Sequence, residues 1–222
     1  MTSSSTRRLA VFVLLAVLAF TLNGCWNPFA PDPVPPKPVE PADYHVRLTP
    51  EDVLHNLKTA YVWRNAGEYL DCLSEDFEFY PNEADVQDPE LNIPPIWYKP
   101  DEQNMHDNMF SDGSNVESIT LTLTISSLVY DYGIPEDPED DTCVCQVDVD
   151  LRVNLIVGVT YLATAPSQFD MRRDVDQWGP EGELLWEIYA WYDLGDPGRG
   201  GAARDPEVDL VSLSELKSLF MQ

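Results

Sequence analysis

Between residues 143 and 159 the chain alternates without a break. Cys143, Cys145, Val147, Val149, Leu151, Val153, Leu155, Val157 and Val159 stand at every second position, with Gln146, Asp148, Asp150, Arg152 and Asn154 among the residues between them. A period of two sends successive side chains to opposite faces of a strand, so the segment reads as one long strand with a core face and a solvated face. Such a strand needs antiparallel neighbours and a second layer over its apolar side. Ile119, Leu121, Leu123 and Ile125 alternate with Thr120, Thr122, Thr124 and Ser126 to give one neighbour. Residues 167–174 and 184–193 give two more, the last carrying Trp186, Ile188, Trp191 and Tyr192. An earlier strand is expected around Phe77, Phe79 and Tyr80, ended by Pro81.

The covering layer comes mostly from the segments ahead of the strands. Thr49 suits an N-cap, Pro50 the first helical position, and Glu51 and Asp52 the positive end of the helix dipole. Val53, Leu54, Leu57, Ala60 and Tyr61 then recur at helical spacing. Residues 64–67 break that helix, and Tyr69, Leu70, Cys72 and Leu73 form the apolar set of a second. Five prolines between 81 and 100 argue for a loop, followed by a short helix over 100–110 with Met105, Met109 and Phe110 facing inward. Residues 195–205 read as a connector and 213–220 as a closing amphipathic helix. Helices first and an antiparallel meander afterwards is an α+β order.

The amino end has a different character. Arg7 and Arg8 precede an apolar run over 9–22 that falls short of the roughly 20 apolar residues a bilayer span needs. A positive start and a short apolar run form an export signal. Leu22-Asn23-Gly24-Cys25 resembles the lipobox of bacterial lipoproteins, with Asn23 departing from the usual Ala, Ser or Thr. That resemblance implies removal of residues 1–24, acyl chains such as palmitate on Cys25, and a cell-envelope location. In a diderm organism it implies the outer membrane, facing periplasm or surface. Two or three chains on one cysteine anchor stably. Residues 26–43 hold seven prolines in 18 positions, an extended polyproline II spacer, so 25–48 reads as a tether and 49–222 as the domain.

Residues 50–80, with Leu73-Ser74-Glu75-Asp76-Phe77-Glu78-Phe79 entering the first strand, and Trp186-Glu187-Ile188-Tyr189-Ala190-Trp191-Tyr192-Asp193 near the end, resemble the NTF2-like (SnoaL-like) superfamily. The resemblance implies a cone: N-terminal helices packed on a curved antiparallel sheet. Relatives of this type either bind ligands and partners or act as isomerases, dehydratases, cyclases and hydrolases through an acid or base inside the cone. The candidates here are Tyr80, His106, Asp112 and Asp193. Polar neighbours at Gln103, Asn104, Asp107 and Asn108 favour a solvated His106; Asp193 suits a turn cap, and Tyr80 suits core packing.

Composition closes off other classes. With 13 Lys+Arg against 39 Asp+Glu, a net charge of −26 argues against nucleic acid and against an anionic lipid surface. Three histidines and no Cys-x-x-Cys pair leave little for zinc, and the acid-rich loop 131–141 lacks the spacing of a calcium loop. The glycine-rich 195–201 opens no nearby helix, so no phosphate cradle and no cofactor are expected. Cys72 can bridge to Cys143 or Cys145, or all three can be buried thiols. The expected function is a lipid-anchored protein binding a small apolar ligand, a second copy or an envelope partner. The alternative is an acid–base enzyme of isomerase, dehydratase or hydrolase type.

Overall fold

A computed structural model describes residues 41–133, 140–195 and 208–221. The lipobox with Cys25, most of the tether, most of the acid-rich loop and most of the glycine-rich connector lie outside the described residues. The compact unit begins at Pro41. Residues 43–48 already belong to it, because Asn56 of the first helix holds the backbone of His45 at both N–H (2.8 Å) and C=O (2.7 Å).

Helix α1 (Pro50–Trp63) starts on a capping box in which Thr49 and Asp52 satisfy each other's backbone N–H groups. It ends where Arg64 turns left-handed at φ 53°, and Asn65 at once caps α2 (Ala66–Asp71). Strand β1 (Leu73–Tyr80) follows, then the short α3 (Glu83–Val86), β2 (Trp97–Tyr98) and α4 (Lys99–Phe110). The long strands are β3 (Val116–Asp131), β4 (Thr142–Leu155), β5 (Thr160–Trp178) and β6 (Leu184–Asp193); β7 (Val208–Val211) and α5 (Leu213–Ser218) close the chain. The sheet runs β2-β1-β6-β5-β4-β3, with β7 continuing alongside β5 beyond the reach of β6. It is curved and unclosed, and its pairs are antiparallel except β1–β6 and β5–β7. The expected α+β class therefore holds.

Two differences from the sequence reading have simple causes. The alternating strand expected to reach Val159 ends at Leu155, because Gly158 at φ 84° turns the chain and leaves Ile156 and Val157 exposed. The loop expected over 81–100 contains a helical turn and a two-residue strand, because Asn82 caps residues 83–86 and β1 offers Phe79 as a partner to Trp97.

Bulges decide which side chains face the helices. In β6, Met171 pairs with Ile188 and Asp170 with Ala190, so Tyr189 is the extra residue. Trp186 and Ile188 before it, and Trp191 and Asp193 after it, are consequently all buried. Among the described residues no helix is long and apolar enough to cross a membrane.

Candidate functional site

Helix α4 supplies the centre of the interior. Glu102, Met105, His106 and Met109 recur at helical spacing, and all are fully buried. Glu102 Oε2 accepts from the Tyr69 hydroxyl at 2.7 Å, and Glu102 Oε1 accepts from Lys217 Nζ at 2.6 Å. Lys217 comes from α5, where it follows Leu213 by one helical turn on the apolar face. Its ammonium lies 3.8 Å from the Phe79 ring centroid, 4.1 Å from Trp191 and 5.9 Å from Trp97. Ring faces attract a cation, and one carboxylate neutralises it, which is what a charge with no solvent contact requires. Burial nevertheless pulls the Lys217 ammonium below its ordinary value against the pull of Glu102.

His106 belongs to the same knot. Its ring stacks on Tyr69 with centroids 3.6 Å apart and meets Tyr61 and Phe110 edge-on. Nδ1 lies 2.9 Å from the Glu102 backbone oxygen. A carbonyl only accepts, so Nδ1 carries the proton and Nε2 keeps a lone pair, with no hydrogen-bond partner among the described residues. Burial first, then the Lys217 charge, holds His106 well below the ordinary histidine value. The expectation of a solvated histidine is thus corrected: the polar neighbours occupy the other faces of the helix.

The remaining candidates are dispersed. Asp193 accepts from Gly195 N at 3.0 Å, as a turn cap should. Its second oxygen takes Ser214 N at 3.1 Å and Ser214 Oγ at 2.6 Å, pinning the start of α5. Burial raises its carboxyl despite those bonds. Tyr80 is half-buried on the outer side of the sheet rather than in the core. It stacks on Tyr192 at 4.7 Å and donates to Glu78, which together with desolvation pushes its hydroxyl up to about 12. Asp112 is exposed in the turn after α4. His106 and Asp193 both lie within electrostatic reach of Lys217, whereas Tyr80 stands with Tyr192 on the outer side of the sheet and Asp112 is in solvent.

Cys72, Cys143 and Cys145 are buried free thiols. Leu73, Ile188, Met171 and Cys143 lie in one row across four strands, so Cys72 and Cys143 are separated by on the order of 14 Å along the sheet, about twice the reach of a disulfide. Desolvation pushes Cys72 and Cys145 to about 12 and Cys143 to about 11, which leaves them unreactive.

An open groove of about 450 Å³ lies elsewhere, lined by residues that include Lys99, Arg172, Arg173, Asp174 and Glu187. Lys99 donates to Glu75 at 2.8 Å, and Arg172 spans Glu187 (3.0 Å) and Asp76 (3.1 Å). Arg173 lies 4.5 Å over the Trp186 ring. Among the described residues its buried Nε has no hydrogen-bond acceptor, the Asp141 carboxylate standing 3.7 Å away.

No protein-family model matches the chain, and no curated protein does. Similar solved structures include a conserved protein from Planctomyces limnophilus (10% identity, 64% of this chain and 90% of that one, TM-score 0.48). A ketosteroid isomerase-like protein from Erwinia carotovora atroseptica shares 12% identity over 64% of this chain and 89% of that one, at TM-score 0.42. An NTF2-like protein of unknown function in nutrient uptake from Rhodospirillum rubrum shares 15% over 63% and 92%, at 0.41. These are likenesses of fold alone.

Proposed function

We propose that the chain is an envelope protein anchored through acyl chains on Cys25, and that its domain binds a small polar ligand or a segment of a partner rather than transforming a substrate. One observation carries the reading: the interior, where a cone of this kind would hold a substrate, is filled by the chain's own Glu102–Lys217 pair and its aromatic surround. Among the described residues, the charged groove is open to a ligand. Its lining mixes cations with acids, which suits a zwitterionic or polar ligand over the apolar one expected from the sequence. Lys99, Arg172 and Arg173 supply its cationic side.

Native mass spectrometry of the full chain, purified from its own envelope without denaturant, tests this. A discrete adduct that Arg173→Ala loses supports it. An adduct that survives Arg173→Ala but disappears in Glu102→Gln overturns the groove.

A second reading has its own support. The bare Nε2 of His106 and the Glu102 carboxylate are an acid–base pair of the type used for proton transfer. For that chemistry α5 would have to withdraw Lys217. A turnover that rises in Lys217→Ala and vanishes in His106→Gln would establish it.

A further inference from the structure

We propose that Asp43, His45 and His55 form a binding site for one divalent transition-metal ion of the zinc type. Their ligand atoms, one from each residue, all lie within 4.8 Å of one another. A tetrahedral zinc holds its ligand atoms roughly 3.3 Å apart, so modest side-chain rotations close the set. Two imidazoles and one carboxylate are the donors of a zinc or copper centre, not of calcium or magnesium, which take oxygen.

The arrangement around the two rings carries the argument beyond proximity. Ligating histidines hold their second nitrogen against a carboxylate or a backbone carbonyl, which fixes the tautomer and aims the free lone pair. Both rings are held that way. His45 Nδ1 lies 2.9 Å from Asp52 Oδ1, so it donates there and the neutral ring keeps its lone pair on Nε2. His55 Nε2 lies 2.8 Å from the Asp43 backbone oxygen, so its lone pair is on Nδ1. Asp43 places a carboxylate oxygen 3.7 Å from His45 Nε2.

The scaffold is firm. Asn56 clamps the His45 backbone on both sides, and His55 and Asp52 sit three residues apart on α1. The rings currently stack with centroids 3.9 Å apart. Coordination replaces that stack, and Asp43 and His45 are exposed enough for both movement and solvent to supply a fourth ligand. Nothing in the sequence spacing signals the site: the histidines are separated by nine residues, and only the docking of residues 43–48 onto α1 brings them face to face.

The test is zinc titration of the full chain against a competing chelator, with magnesium in excess to block the acidic surface. One equivalent of Zn²⁺ should bind, with affinity falling more than about 100-fold in His45→Ala and in His55→Ala. Asp52→Asn, which leaves all three ligands in place, should lose about 10- to 100-fold. Cu²⁺ seated at the same site should show magnetic coupling to two nitrogens, and to one in either histidine variant. Far-UV circular dichroism checks that each variant is folded, and Asp43→Asn serves as a further variant that touches no helix. Absence of zinc binding, displacement by magnesium, or binding unchanged in the His45→Ala/His55→Ala pair overturns the site.

Discussion

Lys217 and Glu102 have no solvent contact, so each depends on the other for its charge. Removing one member of a buried pair leaves an uncompensated ion and costs about 3–5 kcal/mol, whereas replacing both with apolar or neutral groups of similar volume is far cheaper. Lys217→Met and Glu102→Gln should therefore each lower stability by about that amount, with the joint variant recovering most of it, as read from urea unfolding of all four proteins. Simple addition of the two losses would refute the coupling. His106 adds a dependence on pH. Its folded value lies well below the ordinary 6.5, so on acidification the unfolded chain takes up the proton first. Stability from this group is complete above about pH 6.5 and falls below it by up to about 1.4 kcal/mol per pH unit. The drop in urea midpoint between pH 7.5 and 5.5 should shrink in His106→Gln; an equal drop would clear His106 of the effect. Glu102 and Lys217 were not read from the sequence as interior, and for His106, one of the acid–base candidates, the solvated reading was favoured. Charged and polar side chains are mostly exposed, and that rule outweighed a visible pattern: Glu102 and His106 share the helical spacing of Met105 and Met109, and Lys217 shares that of Leu213.

Strands and helices were far more legible, because each repeats its signal over many residues. The threonine-flanked alternation of β3, the valine alternation of β4, the N-cap of α1 and the bounds of β6 all follow from local patterns. The misses lie where a single residue changes the rule. Tyr189 in β6 and Ser126 in β3 are each skipped in the pairing, and each moves the buried positions from one parity to the other. Helix α5 shows how a short element gains weight through what it covers. Ser214 ties it to Asp193 and to Asn82 N (3.0 Å), Asn108 reaches the Phe220 carbonyl at 2.8 Å, and Lys217 fills the aromatic surround. Ending the chain at Val211 should wet Trp97 and Trp191, both now buried, and shift tryptophan emission to the red. Emission that stays at the position of the full chain would mean that other elements seal the interior.

At the scale of the molecule, the groove was invisible in the sequence because Lys99 at the start of α4 joins the paired Arg172 and Glu187 of β5 and β6 from far along the chain, while the proposed anchor is read from the sequence alone. The two are linked by charge. A chain at −26 is repelled by an anionic lipid surface, so a basic patch cannot be what holds it to a membrane. In the proposed anchored form, burial of acyl chains supplies the whole attachment, and each buried methylene contributes about 0.8 kcal/mol independently of salt. Two consequences separate this from electrostatic association. Washing membranes with 1 M salt, where the screening length falls to about 3 Å, should leave the protein in place. Cys25→Ala should abolish labelling by palmitate and release the chain to the soluble fraction. Labelling that persists in Cys25→Ala, or release of the unaltered protein by salt alone, would rule out the lipid anchor and with it the envelope location proposed for the binding domain.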